Sequence, residues 1–155
     1  MKLSIVAIGT KMPAWVQTGF AEYEKRLPHE WKPKLIEFSV AKRGKSTSVA
    51  KLIDLEGQKI LAAIPSGAYV VALDVLGKSL GTPQLSKRMS RWQENVKPVY
   101  ILIGGPDGLA EGCLRRADER WSLSELTLPH PLVRIVLIEQ LYRGWTILQN
   151  HPYHK

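Results

Sequence analysis

Two stretches in the last third of the chain have the residue types of a small-molecule pocket. The first, Val99-Tyr-Ile-Leu-Ile-Gly-Gly-Pro-Asp-Gly-Leu109, is apolar and rich in β-branched residues before it ends in a glycine loop. This pattern predicts a buried strand up to Ile103 that opens into a tight turn. Because glycines have no side chains, a ligand can approach the main chain at Gly104, Gly105 and Gly108.

The second stretch is Trp121-Ser-Leu-Ser-Glu-Leu-Thr-Leu-Pro-His130. We predict a short buried strand from Glu125 to Leu128, stopped by Pro129-His-Pro131. In open α/β sheets, ligands bind where strands end and loops begin. We therefore expect the two loops to form one small-molecule pocket, and the rest of the chain to build the sheet and surface around it.

The same residues argue against several common kinds of site. A dinucleotide-binding fold carries Gly-x-Gly-x-x-Gly after its first strand, but the first predicted strand here ends in one glycine, Gly9. Loop 41–48 is not a P-loop, because no glycine stands five positions before Gly44. There is no nucleophile-elbow motif for Ser-His-Asp catalysis. Cys113 is the one cysteine, and no ligand pair at helical spacing occurs among the histidines, so we expect no metal; the histidines are His29, His130, His151 and His154.

Strand and helix patterns alternate along the chain, which predicts an α/β fold with a mainly parallel sheet of about five strands. We expect residues 1–155 to form one domain. The other strands are predicted at Leu3–Ile8, Lys34–Val40 and Tyr69–Leu73, the last closing at Asp74. Helices are predicted at about Val16–Leu27, Val49–Ile60, Pro83–Trp92, Ala110–Ala117 and Pro131–Leu148. The expected caps are a Ser or Thr of loop 41–48 for the second helix and Thr82 for the third.

The last predicted helix is apolar on nearly all sides, and such a helix is buried on more than one face. Two explanations fit, a homodimer built on this C-terminal helix or deep burial within one chain. We favour the dimer, since two-fold dimers are the commonest oligomers. We expect Cys113 to be a small buried apolar side chain.

The net charge suggests a polyanionic partner. The chain has 22 Lys and Arg against 14 Asp and Glu, a formal net charge of +8, and nucleic acid is the leading candidate for a small basic domain. Basic loop 41–48 fits either an arm that contacts a nucleic-acid backbone or a solvated loop. No segment approaches the ~20 apolar residues of a membrane span, and the apolar N-terminal run is too short for a signal peptide. We therefore expect no membrane association and a cytoplasmic location.

Longer motifs carry a family resemblance that runs from end to end. They are Gly9-Thr-Lys-Met-Pro13, Lys42-Arg-Gly-Lys45, Ile103-Gly-Gly-Pro-Asp-Gly-Leu109, Trp121-Ser-Leu-Ser124, Leu126-Thr-Leu-Pro-His-Pro-Leu-Val-Arg134, Glu139-Gln-Leu-Tyr-Arg143 and Asn150-His-Pro-Tyr-His154. The chain resembles the small bacterial 23S ribosomal RNA pseudouridine N3-methyltransferases of the SPOUT class. The resemblance implies an α/β knot, a deep trefoil in which the C-terminal chain threads through a loop near the glycine motif. True knots are essentially absent among ordinary folds.

The resemblance also implies a cofactor, S-adenosyl-L-methionine, bound in a bent shape. By position it would be held by Leu73, by Gly104 and by the run Leu123, Ser124, Glu125, Leu126, Thr127 and Leu128. Main-chain groups of this run can hydrogen-bond an adenine edge while leucine side chains cover its faces. The same leucines could instead belong simply to the core.

The implied substrate is a pseudouridine in the helix 69 loop of 23S rRNA in the assembled 70S ribosome. Its N3 must lose a proton before, or as, it attacks the methyl group, so a base or a stabilising cation would help. The catalytic candidates are Tyr153, His154 and Arg143, with Arg134 as a further cation; we expect Glu139 to pair with an arginine rather than act as a base.

The tail that carries two of these candidates is either a frayed terminus or a segment that covers a neighbouring protomer's pocket, and we favour the second. RNA phosphates would then meet the dimer at its basic side chains, which include Lys42, Arg43 and Lys45. Two other functions stay open. The chain could be a SPOUT methyltransferase that acts on another RNA such as tRNA, or a non-catalytic RNA-binding dimer in ribosome assembly.

Overall fold

Five parallel strands form the centre of the molecule, of which the computed structural model describes residues 1–154. The sheet has the strand order β2-β1-β4-β3-β5, and every neighbouring pair is parallel. This confirms the predicted α/β class and parallel sheet. The strands are β1 Leu3–Ile8, β2 Lys34–Phe38, β3 Tyr69–Ser79, β4 Val99–Ile103 and β5 Glu119–Ser122.

Helices cover both faces of the sheet, as parallel sheets require. Helices α1 (Ala14–Glu24), α3 (Thr82–Glu94) and α5 (His130–Leu148) pack on one face, and α2 (Val49–Ala62) and α4 (Glu111–Arg116) pack on the other. Two short 3₁₀ turns lie at His29–Trp31 and Pro152–His154. No helix within residues 1–154 is both long and apolar enough to cross a membrane.

The apolar runs of the sequence became the centre of the sheet. All six residues of β1 are buried, and β4 lies beside it with the bounds that the sequence predicts. Cys113 of α4 is buried as expected, and burial raises the pKa of its thiol to about 11.

One predicted helix cap is confirmed and one is wrong. Ser48 caps α2, where its hydroxyl accepts a hydrogen bond from the main-chain N–H of Lys51 at 3.2 Å. Thr82 does not cap α3, because that helix already begins at Thr82 and Gly81 is the N-cap. The Thr82 hydroxyl instead donates to the side chain of Gln140 in α5 at 2.7 Å. A contact between two helices therefore uses the hydroxyl that the sequence pattern assigned to capping.

The fifth strand was placed wrongly by the sequence. It spans Glu119–Ser122, whereas residues 123–129 form an irregular loop instead of the strand predicted at Glu125–Leu128. In this loop the Ser124 hydroxyl accepts the main-chain N–H of Leu126 at 2.9 Å, and the Ser122 hydroxyl donates to the Ser124 carbonyl at 3.0 Å. Local bonds of this kind compete with strand pairing. The alternation of polar and apolar residues along 125–128 therefore belongs to a loop and not to a strand.

The third strand runs further than predicted. Both Leu73 and Lys78 of β3 pair with Trp121, and the residues between them are an irregularity in the ladder. The sequence predicted that this strand closes at Asp74. There the Asp74 carboxylate accepts the main-chain N–H of Leu76 at 3.2 Å, a local bond that is typical of turn residues. Gly77 then passes so close to β5 that a Cβ atom there would lie 2.7 Å from the carbonyl carbon of Arg120. The threading of a trefoil knot stays a prediction.

Candidate active site

A cavity of about 710 Å³ opens at the carboxyl ends of β4 and β5 and beside the irregularity in β3. Its walls come from residues 73–75 of β3, the glycine loop after β4, the loop after β5 and the first turn of α5. Ligands of open α/β sheets bind at this edge, and the volume is that of a pocket for a small molecule.

The structure brings together seven of the eight residues predicted to hold a cofactor. They all line the cavity and are Leu73, Gly104, Leu123, Ser124, Leu126, Thr127 and Leu128. Glu125, the eighth, is exposed and does not line it. The wrongly placed strand did not harm this prediction, because the residues of 123–128 still meet the glycine loop.

The glycine loop is folded tightly on itself. Gly105 and Gly108 pair across it, and the N–H of Gly108 donates to the carbonyl of Gly105 at 3.0 Å. A Cβ atom on Gly104 would lie 2.6 Å from the carbonyl carbon of Gly108, closer than real Cβ contacts, and Gly108 has a φ of +86°. A side chain at either position would therefore collide or strain the backbone, and the loop needs glycine at both.

Several cavity residues escaped the sequence prediction. Two carboxylates line it, Asp74 at the turn in β3 and Asp107 in the glycine loop, where Asp107 forms an ion pair with Arg43. The pair attaches basic loop 41–48 to the cavity wall. His130 and Val133 also line the cavity. The signal that could have found His130 is its place directly after the loop 123–129, in the first turn of a helix.

His130 belongs to a partly buried polar network around the buried side chain of Arg134. One ring nitrogen, Nδ1, lies 2.9 Å from the carbonyl oxygen of Gly104, and the other, Nε2, lies 3.1 Å from Nε of Arg134. Arg134 also donates to the carboxylate of Glu37 and, at 2.8 Å, to the carbonyl of Gly9. We call these five residues the histidine–arginine network. Burial lowers the pKa of His130, and the nearby Arg134 charge lowers it further, while the Gly104 bond and Glu37 oppose the shift.

Arg134 does not fit the predicted role of a cation that stabilises the substrate. Its side chain is 2% exposed and is already bonded to His130, Glu37 and Gly9. Because all three of these partners are protein groups, and removing one partner of a buried charge is strongly destabilising, we assign Arg134 a structural role.

The catalytic candidates Arg143 and Tyr153 form a separate group with Glu139, which we call the tail cluster (Glu139, Arg143 and Tyr153). Arg143 makes an ion pair with Glu139 at 2.6 Å, as the sequence predicts for Glu139, and the Tyr153 hydroxyl donates to the same carboxylate at 3.1 Å. The Arg143 guanidinium stands 5.0 Å from the centre of the Tyr153 ring. Burial and then the Glu139 charge raise the pKa of Tyr153 to about 12.

The tail is ordered by these contacts. The ring of Tyr153 packs edge-on against Tyr142 of α5, with ring centres 4.6 Å apart. Beside it, Nδ1 of His154 is buried and has no hydrogen-bond partner within residues 1–154. The last turn therefore docks on α5, which argues against a frayed terminus.

The tail cluster does not reach the cavity of its own chain. Neither Arg143, Tyr153 nor His154 lines that cavity. Arg143 stands 13 residues after His130 on α5, which is about 20 Å along the axis at the rise of an α-helix. One chain thus carries both groups of predicted site residues, but at different ends of one helix.

A second cavity, of about 400 Å³, lies at the opposite edge of the sheet, where β3, β4 and β5 begin. Across it Arg88 forms an ion pair with Glu119 at 2.8 Å, and Glu119 also accepts the hydroxyl of Tyr69. No group of His, Cys, Asp and Glu within residues 1–154 is arranged to hold a metal ion.

Comparison with known proteins places this architecture in a family. A family model described as a predicted SPOUT methyltransferase matches residues 1–154. A protein of Saccharophagus degradans is 60% identical over 155 residues, and one of Teredinibacter turnerae is 59% identical over 158 residues, each covering 100% of both chains. A third, of Hahella chejuensis, is 53% identical over 100% of this chain and 99% of its own. All three are named ribosomal RNA large subunit methyltransferase H.

The cavity has the chemistry that S-adenosyl-L-methionine, the methyl donor of SPOUT enzymes, requires. Leu126 is 76% exposed, so an apolar surface is ready to cover a purine ring. Residues 123–129 lie outside helices and strands, where main-chain groups are not tied into a ladder. The carboxylate of Asp74, which forms no ion pair within residues 1–154, suits a ligand that carries positive charge. From the fold, the cavity and the full-length match together, the chain belongs to the SPOUT methyltransferase family.

Proposed function

We propose that this protein methylates N3 of a pseudouridine in the helix 69 loop of 23S rRNA, in the assembled 70S ribosome, with S-adenosyl-L-methionine as methyl donor. The observation that carries the proposal is the 60% identity, over the whole of both chains, with a relative named ribosomal RNA large subunit methyltransferase H. The name of that relative supports ribosomal RNA as the substrate here, and a ribosomal substrate supports a cytoplasmic location.

In this proposal the donor occupies the cavity at the carboxyl edge of the sheet. Leu73, Gly104 and residues 123–128 hold it, with leucines against its ring and main-chain groups at its polar edge. When bound, the donor supplies a methyl group on a positively charged sulfur. The tight glycine loop and the loop 123–129 orient it, because a fixed direction of attack is what positioning contributes to group transfer.

In this proposal, the side chains that act on the N3 proton of the substrate belong to the tail and to α5. N3 of the target must lose a proton, and Tyr153, His154 and Arg143 have the groups to accept it or to stabilise the anionic ring. Since none of the three lines the cavity of its own chain, we propose that they serve the cavity of a second protomer. The site is then complete only in a homodimer that forms through the C-terminal helix α5.

Exposed apolar side chains support such a dimer. Leu76 is 90% exposed and Val75 is 63% exposed on the outer part of β3, and Leu132 of α5 is 38% exposed. Val75 and Leu126 also line the cavity, so an apolar surface continues from the donor site onto the outside of the molecule. A surface of this kind is typical of an interface.

RNA phosphates would be bound next to the donor. The chain has a formal net charge of +8, and basic loop 41–48 meets the cavity through the pair between Arg43 and Asp107. Lys42 and Lys45 of the same loop are exposed. Such contacts position the substrate but do not read its sequence, so we expect specificity to come from the folded ribosome.

The test is methyl transfer from labelled donor to three substrates prepared from cells that lack this protein: 70S ribosomes, free 23S rRNA and bulk tRNA. We expect incorporation into 70S ribosomes alone, and mass mapping should place the methyl group on a helix 69 pseudouridine. Incorporation into tRNA would favour a SPOUT enzyme for another RNA. Donor binding by calorimetry is the control, and its absence would indicate a non-catalytic RNA-binding dimer.

A further inference from the structure

The protonation state of His130 is fixed by its two partners. The carbonyl oxygen of Gly104, 2.9 Å from Nδ1, can only accept a hydrogen bond, so Nδ1 must carry the proton. Nε of Arg134, 3.1 Å from Nε2, can only donate, so Nε2 must be free of a proton. The ring is therefore neutral and held as a single tautomer.

Arg134 is held just as firmly, which makes the arrangement rigid. Its guanidinium donates to the Glu37 carboxylate and, at 2.8 Å, to the Gly9 carbonyl. Gly9 has a φ of +128°, and a Cβ atom there would lie 3.1 Å from Nε2 of His130. The histidine–arginine network thus ties the ends of β1 and β2 and the first turn of α5 to the glycine loop after β4.

The carbonyl that His130 holds belongs to the peptide group between Gly104 and Gly105. Because a trans peptide is planar, a fixed direction of the Gly104 carbonyl also fixes the N–H of Gly105 in the opposite direction. Both glycines line the cavity. Glycine has the most freedom to rotate of any residue, so without a partner for this carbonyl the loop would sample several peptide orientations.

We propose that His130 is a positioning residue for donor binding: as the neutral Nδ1–H tautomer set by Arg134, it holds the Gly104–Gly105 peptide in the orientation that receives the donor. This rests on the proposed donor site and adds a residue to it. His130 acts through the main chain, and Arg134 acts through His130.

Two substitutions separate the two ring nitrogens. In His130→Asn the short amide lies where Nδ1 was and can still donate to Gly104, while the bond to Arg134 is lost. In His130→Gln the longer side chain can accept from Arg134, while the bond to Gly104 is lost. We expect the Kd for S-adenosyl-L-methionine, measured by calorimetry without RNA, to stay within about threefold for Asn and to rise about tenfold for Gln, the cost of one hydrogen bond.

Equal affinities for the two variants, or tighter binding by His130→Gln than by His130→Asn, would overturn the proposal. Thermal unfolding of both variants is the control for general damage to the fold. Because no RNA is present, an error in the proposed RNA substrate would leave this result unchanged.

A second measurement reads the tautomer directly in the protein without donor. Nitrogen-15 NMR of the histidine rings should show His130 protonated at Nδ1 and unprotonated at Nε2, and a proton on Nε2 would refute the proposed arrangement.

Discussion

The donor cavity and the tail cluster are built in opposite ways. The cavity is lined mostly by apolar side chains and by the glycine loop, which is held tightly because a Cβ atom at Gly104 would collide with the main chain. The tail cluster is made of charged and aromatic side chains on α5 and on the 3₁₀ turn that follows it, and they are paired with one another. The cavity offers apolar surface to a ligand, whereas the charged groups of the tail cluster are paired with one another and do not line the cavity.

The proposed homodimer would join the two regions. The cavity is lined by residues at the ends of neighbouring strands of one chain, and neither Arg143, Tyr153 nor His154 lines it. In the proposal the tail of one protomer therefore serves the cavity of the other. Each of the following predictions tests one side of this contrast.

Removal of residues 151–155 should have the largest effect. We expect methyl transfer to fall by about a hundredfold or more, the usual contribution of a positioned acid or base, while the Kd for donor changes little. The measurement is turnover on ribosomes together with calorimetry. Unchanged turnover would show that the tail has no part in the reaction.

A mixed dimer tells whether the tail acts in its own chain or in the partner. One protomer lacks residues 151–155, and the other carries Gly104→Val, which blocks its cavity. Neither homodimer should be active, but the mixed dimer should recover activity at the one site that combines an intact cavity with an intact tail. Inactive mixed dimers would contradict exchange of tails between protomers.

Gly104→Ala should weaken donor binding by about tenfold or more, because its Cβ atom would lie 2.6 Å from the Gly108 carbonyl carbon and the loop must shift. The matched control is Gly67→Ala, since an added Cβ atom there meets nothing within 4 Å. Calorimetry checks both variants. Equal donor affinity in the two would mean that the tight glycine loop is not part of the donor site.

Tyr153→Phe should lower turnover by about tenfold and leave donor affinity unchanged. The ring can keep its packing on Tyr142, but the hydroxyl that donates to Glu139 is lost, and a hydrogen bond to a charged group contributes about 1.5–3 kcal/mol to stability. Steady-state kinetics and denaturant unfolding separate the two effects. A large loss of stability with normal turnover would make Tyr153 a packing residue.

The smallest expected effect is a loss of stability in acid that depends on His130, a residue of the cavity. The folded protein holds the pKa of His130 below its ordinary value of 6.5, so the unfolded chain binds a proton more readily there. The contribution of His130 to stability is therefore complete above about pH 6.5 and is lost as pH falls through its lower folded pKa. Denaturant unfolding between pH 7 and pH 5 should show this slope, and His130→Asn should make it shallower. An equal slope in both proteins would assign the acid sensitivity to other groups.

Sequence patterns found the elements with a simple period and failed where side chains act locally. Strands β1 and β4 were correct because an apolar run leaves few alternatives in a parallel sheet. The fifth strand was misplaced because the side chains of Ser122 and Ser124 form hydrogen bonds within the loop. The alternation of polar and apolar residues along 125–128 does not by itself distinguish a strand from such a loop.

The candidate site divides along the same line. The glycine loop and the run 123–128 could be found because their composition is unusual and the resemblance covers them. The histidine–arginine network could not be found, since it joins Gly9, Glu37, Gly104 and Arg134, residues that are far apart in the chain. Nothing in the spacing of His130 suggested a bond to the main chain of Gly104.

The sequence by itself determined an α/β protein with a parallel sheet, a basic surface and a glycine loop at the edge of that sheet, since composition and periodicity act through short-range sterics and burial. Only the tertiary structure decided which residues meet. It placed His130 against the glycine loop, buried Arg134 beside it, and kept Arg143, Tyr153 and His154 out of the cavity lining. Contacts between distant segments depend on how helices and strands pack, and no local pattern records that geometry.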